Sequence, residues 1–261
     1  EAIKDVMARR SLLRAAANVF ISDYLRREAE RLVPESAPRN HTIHNGLPDA
    51  VLAEAAQTGD GWAGTPDLIA LQSTAAHKDN PTLIRCLARL VEQAPDRPWT
   101  LRIAGGGDWS GVRELAAGLG VLDRITFLGH LDWPELAPHI RRSACLVFTS
   151  VLEGFGLPLL EAMACRCPVV ACNTTAMPEI AGDAGVLVPP GDAGAFADAV
   201  MRLCSGTAIR SEYVARGLER IGHFRWSTSA ARMFALLEAA ASGGAVSVNR
   251  TGVSVAHPDR D

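Results

Sequence analysis

From residue 66 onward, short apolar runs alternate with stretches of helical spacing, and this alternation constrains the fold of the chain more than any other feature. Residues 68–72, 100–104, 124–128, 145–149, 169–171 and 185–188 read as buried strands. Residues 81–93, 111–119, 133–142, 159–166 and 177–182 read as the helices between them. In the first of these helices Leu83, Ile84, Leu87, Leu90 and Val91 share one helical face. A βαβαβ alternation of this kind implies an α/β fold, a Rossmann-like parallel sheet with helices on both faces. Three more helices are expected at 192–204, 208–220 and 227–240, and 242–261, with no apolar period, reads as a disordered tail.

The front of the chain differs. Residues 7–17 look helical, 18–21 form a short strand, and Ser22-Asp23 can cap a helix running to Leu32. A second short strand at Thr42-Ile43 ends in His44-Asn45-Gly46-Leu47-Pro48, a strong turn signal. Two strands and two helices are too few for a whole α/β domain, so residues 1–48 read as the trailing end of one. Residues 49–65, rich in Ala, Gly and Asp, read as a linker into a complete domain at 66–225.

The run Glu153-Gly-Phe-Gly-Leu-Pro-Leu-Leu-Glu161 joins an expected strand to an expected helix, at a strand's carboxyl end where open α/β sheets bind ligands. Pro158 suits the first helical position, and Gly154 and Gly156 permit positive φ and close approach to a ligand. Free N–H groups at a helix start, with the macrodipole, form a seat for phosphate. The two glutamates need a separate reason. Glu161, read as first-turn, also suits the dipole; Glu153 precedes the turn and does not. A carboxylate accepts hydrogen bonds from vicinal hydroxyls, so acids on both sides of a diphosphate seat fit a nucleotide-sugar; on local chemistry alone the alternative is a structural turn.

A net charge of −3 gives no electrostatic case for nucleic acid, and no apolar run reaches the length of a membrane span. The six cysteines mostly lie in apolar patterns, as reduced buried thiols of a cytoplasmic protein do. Cys165, Cys167 and Cys172 lack a fourth ligand at zinc-site spacing, and no metal is expected. Gly105-Gly106-Gly107 follows a strand without G-x-G-x-x-G spacing and reads as a tight turn.

Together with Asn45-Gly46, His77-Lys78-Asp79-Asn80, Leu101-Arg-Ile-Ala-Gly105-Gly106-Gly107, Ile125-Thr-Phe-Leu-Gly129, Pro168-Val-Val-Ala171, Pro178-Glu179 and Gly182-Asp-Ala-Gly185, the Glu153–Glu161 run resembles the retaining GT-B glycosyltransferases of glycosyltransferase family 4. Order and spacing agree over roughly residues 40–240. The resemblance implies a nucleotide-sugar donor domain at 66–225, a crossover helix at 226–241, and transfer of a sugar from a UDP-, GDP- or ADP-sugar with retention and without a metal or cofactor. It implies catalytic roles for Lys78, against the diphosphate, and Glu153, against hydroxyls of the transferred sugar. Glu161 would accept from the ribose. Gly154 and the N–H groups of Phe155, Gly156 and Leu157 would hold the diphosphate, and His130 would lie near the base. An arginine frequent in such enzymes is absent; Gln72-Ser73-Thr74 stands there, and Ser73 or Thr74 would donate a hydroxyl instead.

By the same resemblance, Trp226 and the stripe Ala231, Phe234, Ala235 and Leu237 would pack the last helix. The acceptor would be a sugar, a lipid or another small hydroxyl compound. Peripheral membrane contact would run through the rest of the first domain. The alternative is a catalytically incomplete nucleotide-sugar-binding module, or a subunit whose partner supplies the acceptor half.

Overall fold

The computed structural model describes residues 2–57, 59–242, 245–249 and 252–256. The described residues of 2–49 and 224–256 form one compact unit, and those of 50–223 form another. In chain order the elements are α1 (Ala2–Arg14), β1 (Asn18–Phe20), α2 (Asp23–Leu32), β2 (Asn40–Thr42), α3 (Asp49–Gln57), β3 (Asp67–Leu71), α4 (Asn80–Gln93), β4 (Thr100–Ala104), α5 (Ser110–Gly118) and β5 (Ile125–Gly129). They continue with α6 (Trp133–Arg141), β6 (Cys145–Phe148), α7 (Leu157–Ala164), β7 (Val169–Cys172), α8 (Met177–Ala181), β8 (Gly185–Val188), α9 (Ala193–Leu203), α10 (Thr207–Ile221), α11 (Trp226–Ala241), β9 (Ala245–Asn249) and β10 (Gly252–Ala256).

The larger unit is built on one six-stranded parallel sheet in the order β5-β4-β3-β6-β7-β8. This is the α/β arrangement expected from the alternation of strands and helices. The chain winds outward from β3 to β5, then returns to the other side of β3 and winds outward from β6 to β8. The central strands β6 and β7 are buried at every position, as strands covered on both faces must be. In α4 the buried residues include Leu83, Ile84, Leu87 and Leu90, as the periodicity predicts, with Cys86 added to the face. Trp99, Leu101, Ile103, Phe148 and Phe196, all fully buried, complete the core.

Residues 49–65 are not the irregular linker suggested by their composition. Asp49–Gln57 forms α3, because Ala-Val-Leu-Ala-Glu-Ala-Ala carries high helix propensity and Leu52 and Ala55 are buried. Arg141 pairs with Glu54 at 2.8 Å, and Arg166 donates to the Ala55 carbonyl. The strap that follows is held by Arg210, only 2% exposed, whose guanidinium donates to Asp60 at 3.0 and 3.1 Å, to the Ala144 carbonyl and to the Arg166 carbonyl. One guanidinium thus ties the strap to the amino end of β6 and to the chain leaving α7.

In the smaller unit β1 and β2 pair in parallel, and Ser22 caps α2 by accepting from the Leu25 amide at 3.2 Å. Gly46 has a steric reason: a Cβ there would lie 2.3 Å from the Arg225 carbonyl carbon. At this crossing the Leu47 amide donates to the Phe224 carbonyl, and Ser229 donates to the His44 carbonyl at 2.6 Å. These bonds set the rotation of α11, and they overturn two expectations. The buried residues of α11 are Ser229, Leu236 and Ala239, whereas Phe234 and Leu237 are 67% and 56% exposed. Trp226 is 47% exposed, and Phe224 is the buried aromatic of that run.

The stretch expected to be a disordered tail contains the antiparallel pair β9–β10, with Val248 opposite Val253. The repeats Val246-Ser-Val248 and Val253-Ser-Val255 have the period-two alternation of a strand, which a search for helical period passes over. Residues 243, 244, 250, 251 and 257–261 lie outside the described residues.

Arg210→Met keeps the packing volume but leaves the Ala144 and Arg166 carbonyls without their donor and Asp60 without its cation. Urea unfolding of this variant is expected to show a loss of about 3 kcal/mol.

Candidate active site at the strand-order reversal

The sheet order reverses between β3 and β6, and the loops leaving these two neighbouring strands diverge there, forming the crevice in which open α/β sheets bind ligands. The loop after β3 carries Ser73, Thr74 and Lys78; the loop after β6 carries Glu153, Gly154, Phe155 and Gly156 and runs into α7 at Leu157. Topology therefore brings together every candidate site residue except His130 and Glu161.

The closest contact in the crevice is an ion pair. Lys78 Nζ lies 2.5 Å from Glu153 Oε1, with the two side chains 16% and 17% exposed. The ammonium also lies 5.2 Å from the centre of the Phe148 ring. In this arrangement the lysine neutralises the acid that otherwise makes the crevice hostile to phosphate. Only two of the 26 basic residues of the chain are lysines, Lys4 and Lys78. The Glu153 amide donates to Thr175 Oγ1 at 3.2 Å, and Thr175 itself takes a left-handed conformation with φ 53°.

Helix α7 begins two residues earlier than its periodicity suggests, which corrects two positions. Pro158 is the second helical residue; this still sacrifices no hydrogen bond, because the first four N–H groups have no acceptor inside the helix. Glu161 is the fifth residue, beyond the first turn, so the helix dipole does not account for it. Its half-buried carboxylate has no hydrogen-bond partner among the described residues, and burial raises its pKa above the ordinary 4.5. Gly156 caps the helix with φ 111°, whereas Gly154 does not take a positive φ. The amides of Gly156 and Leu157 make no hydrogen bond among the described residues. Phe155 is buried beneath them, 4% exposed.

The triglycine run after β4 forms the neighbouring rim. A Cβ on Gly105 would lie 1.9 Å from the Gln72 carbonyl oxygen, and one on Gly107 would lie 2.0 Å from Thr74 Oγ1. The tight turn expected there is thus packed directly on the loop that holds Ser73 and Thr74. His130 stands apart: it is exposed and follows β5, the edge strand, two strands away from β3.

From sequence, Gln72 and Asn80 are motif residues and Thr149 ends a strand; their shared network beneath the crevice is visible only in the structure. Gln72 Nε2 donates to Asn80 Oδ1 at 3.0 Å and to Thr149 Oγ1 at 3.3 Å, and Asn80 Nδ2 donates to the Ser73 carbonyl at 2.9 Å. The available signal was two polar residues, Gln72 and Thr149, closing neighbouring apolar runs, and a third, Asn80, at the start of α4. Burial pushes the thiols of Cys86, Cys165, Cys167 and Cys172 up to about 12, and of these Cys172 reaches the crevice floor, donating to the Thr149 carbonyl. A groove of ≈ 750 Å³ lies away from the crevice, against α4 and residues 189–194. It gathers Arg85, Arg89 and Glu92 beside the start of α9, but it lies away from the strand-order reversal at which open α/β sheets bind ligands.

A parallel α/β sheet with a carboxylate-bearing crevice at its switch point is shared by many nucleotide-binding proteins, and comparison narrows the class. Residues 66–206 match the family model described as Glycosyl transferases group 1, and the chain belongs to this family. It is 32% identical over 206 residues to phosphatidyl-myo-inositol mannosyltransferase of Mycobacterium leprae, covering 76% of this chain and 54% of the relative. It is 33% identical over 159 residues to D-inositol 3-phosphate glycosyltransferase 2 of Catenulispora acidiphila, covering 57% of this chain and 37% of the relative. The chain therefore spans about half the length, or less, of these curated relatives.

Among solved structures, sucrose-phosphate synthase from Thermosynechococcus elongatus superposes with a TM-score of 0.77 at 25% identity, covering 91% of this chain and 61% of that one. A mutant of TarM from S. aureus, solved in complex with Fondaparinux, alpha-GlcNAc-glycerol and UDP, gives 0.77 at 15% identity, covering 90% and 46%. At that identity the likeness is one of fold. The fold is that of the GT-B glycosyltransferases, as the resemblance implied.

Glu161 is harder to ionise in the folded chain than in the unfolded one. Stability associated with its protonated form is complete below the ordinary value of 4.5 and is lost as pH rises through the raised folded value. Thermal unfolding of Glu161→Gln should therefore give a higher Tm than wild type at pH 7 and no advantage at pH 3.5. Gly156→Ala places a side chain at φ 111° with its Cβ 2.5 Å from Met177 Cε; it should lose about 1–2 kcal/mol in denaturant titration, mainly from backbone strain.

Proposed function

We propose that this chain binds a nucleotide-diphosphate sugar in the β3–β6 crevice and forms the donor half of a retaining, metal-independent glycosyltransferase of family 4. The observation that carries the reading is the Lys78–Glu153 ion pair beside the start of α7. On donor binding the pair exchanges partners. The Lys78 ammonium turns to the diphosphate, joined by the N–H groups of Phe155, Gly156 and Leu157, with Gly154 giving room and Ser73 or Thr74 donating a hydroxyl. Glu153 accepts hydrogen bonds from hydroxyls of the transferred sugar. Glu161, half-buried without a partner among the described residues, accepts from the ribose, which replaces the hydration its carboxylate has lost. His130 belongs to the rim on the base side.

In this scheme catalysis is electrostatic. As the bond between the anomeric carbon and the diphosphate breaks, negative charge grows on the leaving oxygen, and prepositioned donors stabilise it. The donor is a UDP-, GDP- or ADP-sugar, with no cofactor. The relatives' names, a phosphatidyl-inositol mannosyltransferase and an inositol-phosphate glycosyltransferase, support hexosyl transfer to a hydroxyl of a sugar, a lipid or another small acceptor in glycan, glycolipid or polysaccharide synthesis. Cysteines in the free thiol form fit a reducing compartment, and we place the reaction in the cytoplasm, with peripheral membrane contact through residues of the acceptor side.

A second reading is favoured by the smaller unit, which pairs only β1 with β2 among the described residues besides β9–β10. Here the chain is a donor-binding module that turns over only with an acceptor half from further residues or a partner chain. Donor turnover by this chain, with and without an upstream extension, separates the two.

Calorimetric titration with UDP-, GDP- and ADP-sugars tests the shared claim. One of the three should bind, and Glu161→Ala should weaken it by about 1.5–3 kcal/mol, as expected for a lost hydrogen bond to a charged group. Failure of all three to bind would sink the reading.

A further inference from the structure

The turn bearing Lys78 is held by the end of a different strand. Three consecutive carbonyls, of His77, Lys78 and Asp79, are met by donors from the three residues that leave β6, Thr149, Ser150 and Val151. The His77 carbonyl accepts from the Val151 amide at 2.8 Å and from Ser150 Oγ at 3.1 Å. The Lys78 carbonyl accepts from Thr149 Oγ1 at 2.9 Å, and the Asp79 carbonyl lies 3.1 Å from the same hydroxyl. A hydroxyl has one hydrogen, so the nearer Lys78 carbonyl is its principal acceptor. Thr149 is 0% exposed, and its oxygen also receives Gln72 Nε2.

Asp79, which follows the lysine, has φ 47°, a left-handed conformation that Asp adopts more readily than most residues, and its side chain caps α4 by accepting from the Thr82 amide. The bonds from the end of β6 add to these local ones in holding the turn. Glu153 follows Thr149 by four residues on the same loop. The bonds made by Thr149 therefore fix the separation between the backbone that carries Lys78 and the backbone that carries Glu153.

We propose that Thr149 is a positioning residue for the donor's diphosphate: its hydroxyl locks the Lys78 turn onto the end of β6 and so sets where the Lys78 ammonium stands. The proposal rests on the donor reading above and adds to it a residue that touches neither substrate nor reacting atoms. Chemistry selects the hydroxyl, because valine has the same shape and offers no donor to the Lys78 carbonyl and no acceptor to Gln72.

The test has one arm without ligand and one with it. With two lysines in the chain, brief acetylation by N-hydroxysuccinimidyl acetate followed by peptide mass spectrometry reads Lys78 directly, with Lys4 as internal reference. Thr149→Val should speed Lys78 acetylation about three- to tenfold relative to Lys4, while Thr149→Ser, which keeps the hydroxyl, stays near wild type. The affinity of the best nucleoside diphosphate should fall by the same factor in Thr149→Val, with nucleoside affinity unchanged. Combined with Lys78→Ala, Thr149→Val should add no further loss.

Equal Lys78 labelling in Thr149→Val and wild type overturns the proposal. So does a loss shared equally by nucleoside and diphosphate, or a full additional loss in the Lys78→Ala background. If no nucleotide binds the wild-type chain, the donor reading fails, and the acetylation arm alone decides whether Thr149 positions Lys78.

Discussion

The ladder between β3 and β6, where Leu68 pairs with Cys145 and Ile69 with Leu146, joins the two halves of the sheet. Each half is wound outward from this seam, so loops leaving the two strands part in opposite directions and open a crevice. Every candidate site residue except His130 and Glu161 lies on those two loops or at the start of α7. The seam also explains the buried amide network: Gln72 at the end of β3 and Thr149 at the end of β6 are neighbours because the strands are, and their side chains bond across the join.

The crevice combines groups with opposite demands. Phosphate favours the start of α7 and Lys78, whereas Glu153 and Glu161 repel it. In the structure this conflict is resolved separately for each acid. Glu153 is neutralised by Lys78 at 2.5 Å. Glu161 has no cation among the described residues and bears the burial, which shows as a raised pKa. An acid held away from water without a partner lowers the stability of the folded chain, and hydrogen-bond donors brought by a ligand would relieve that cost.

Much of the fold was legible because buried parallel strands and amphipathic helices leave strong periodic marks. The strands at 100–104 and 185–188 fall where their apolar runs end. The helix in 49–65 was missed because its composition resembles a flexible segment until Leu52 and Ala55 find a surface to cover. The face of α11 was misread because Phe234 and Leu237 look like core residues by type, while the rotation of the helix is set by a distant crossing at Gly46 and by the bond from Ser229 to His44. No local pattern encodes that rotation.

By itself the sequence determined the order of strands and helices, the glycine-bearing turn at 153–156, and the family to which these belong, because periodicity and short motifs are local properties of the chain. Only the tertiary structure decided that Lys78 and Glu153, 75 positions apart, form one ion pair, and that Thr149 holds the turn between them. Those contacts arise from strand order, and strand order is set by the packing of the whole sheet, not by any segment within it.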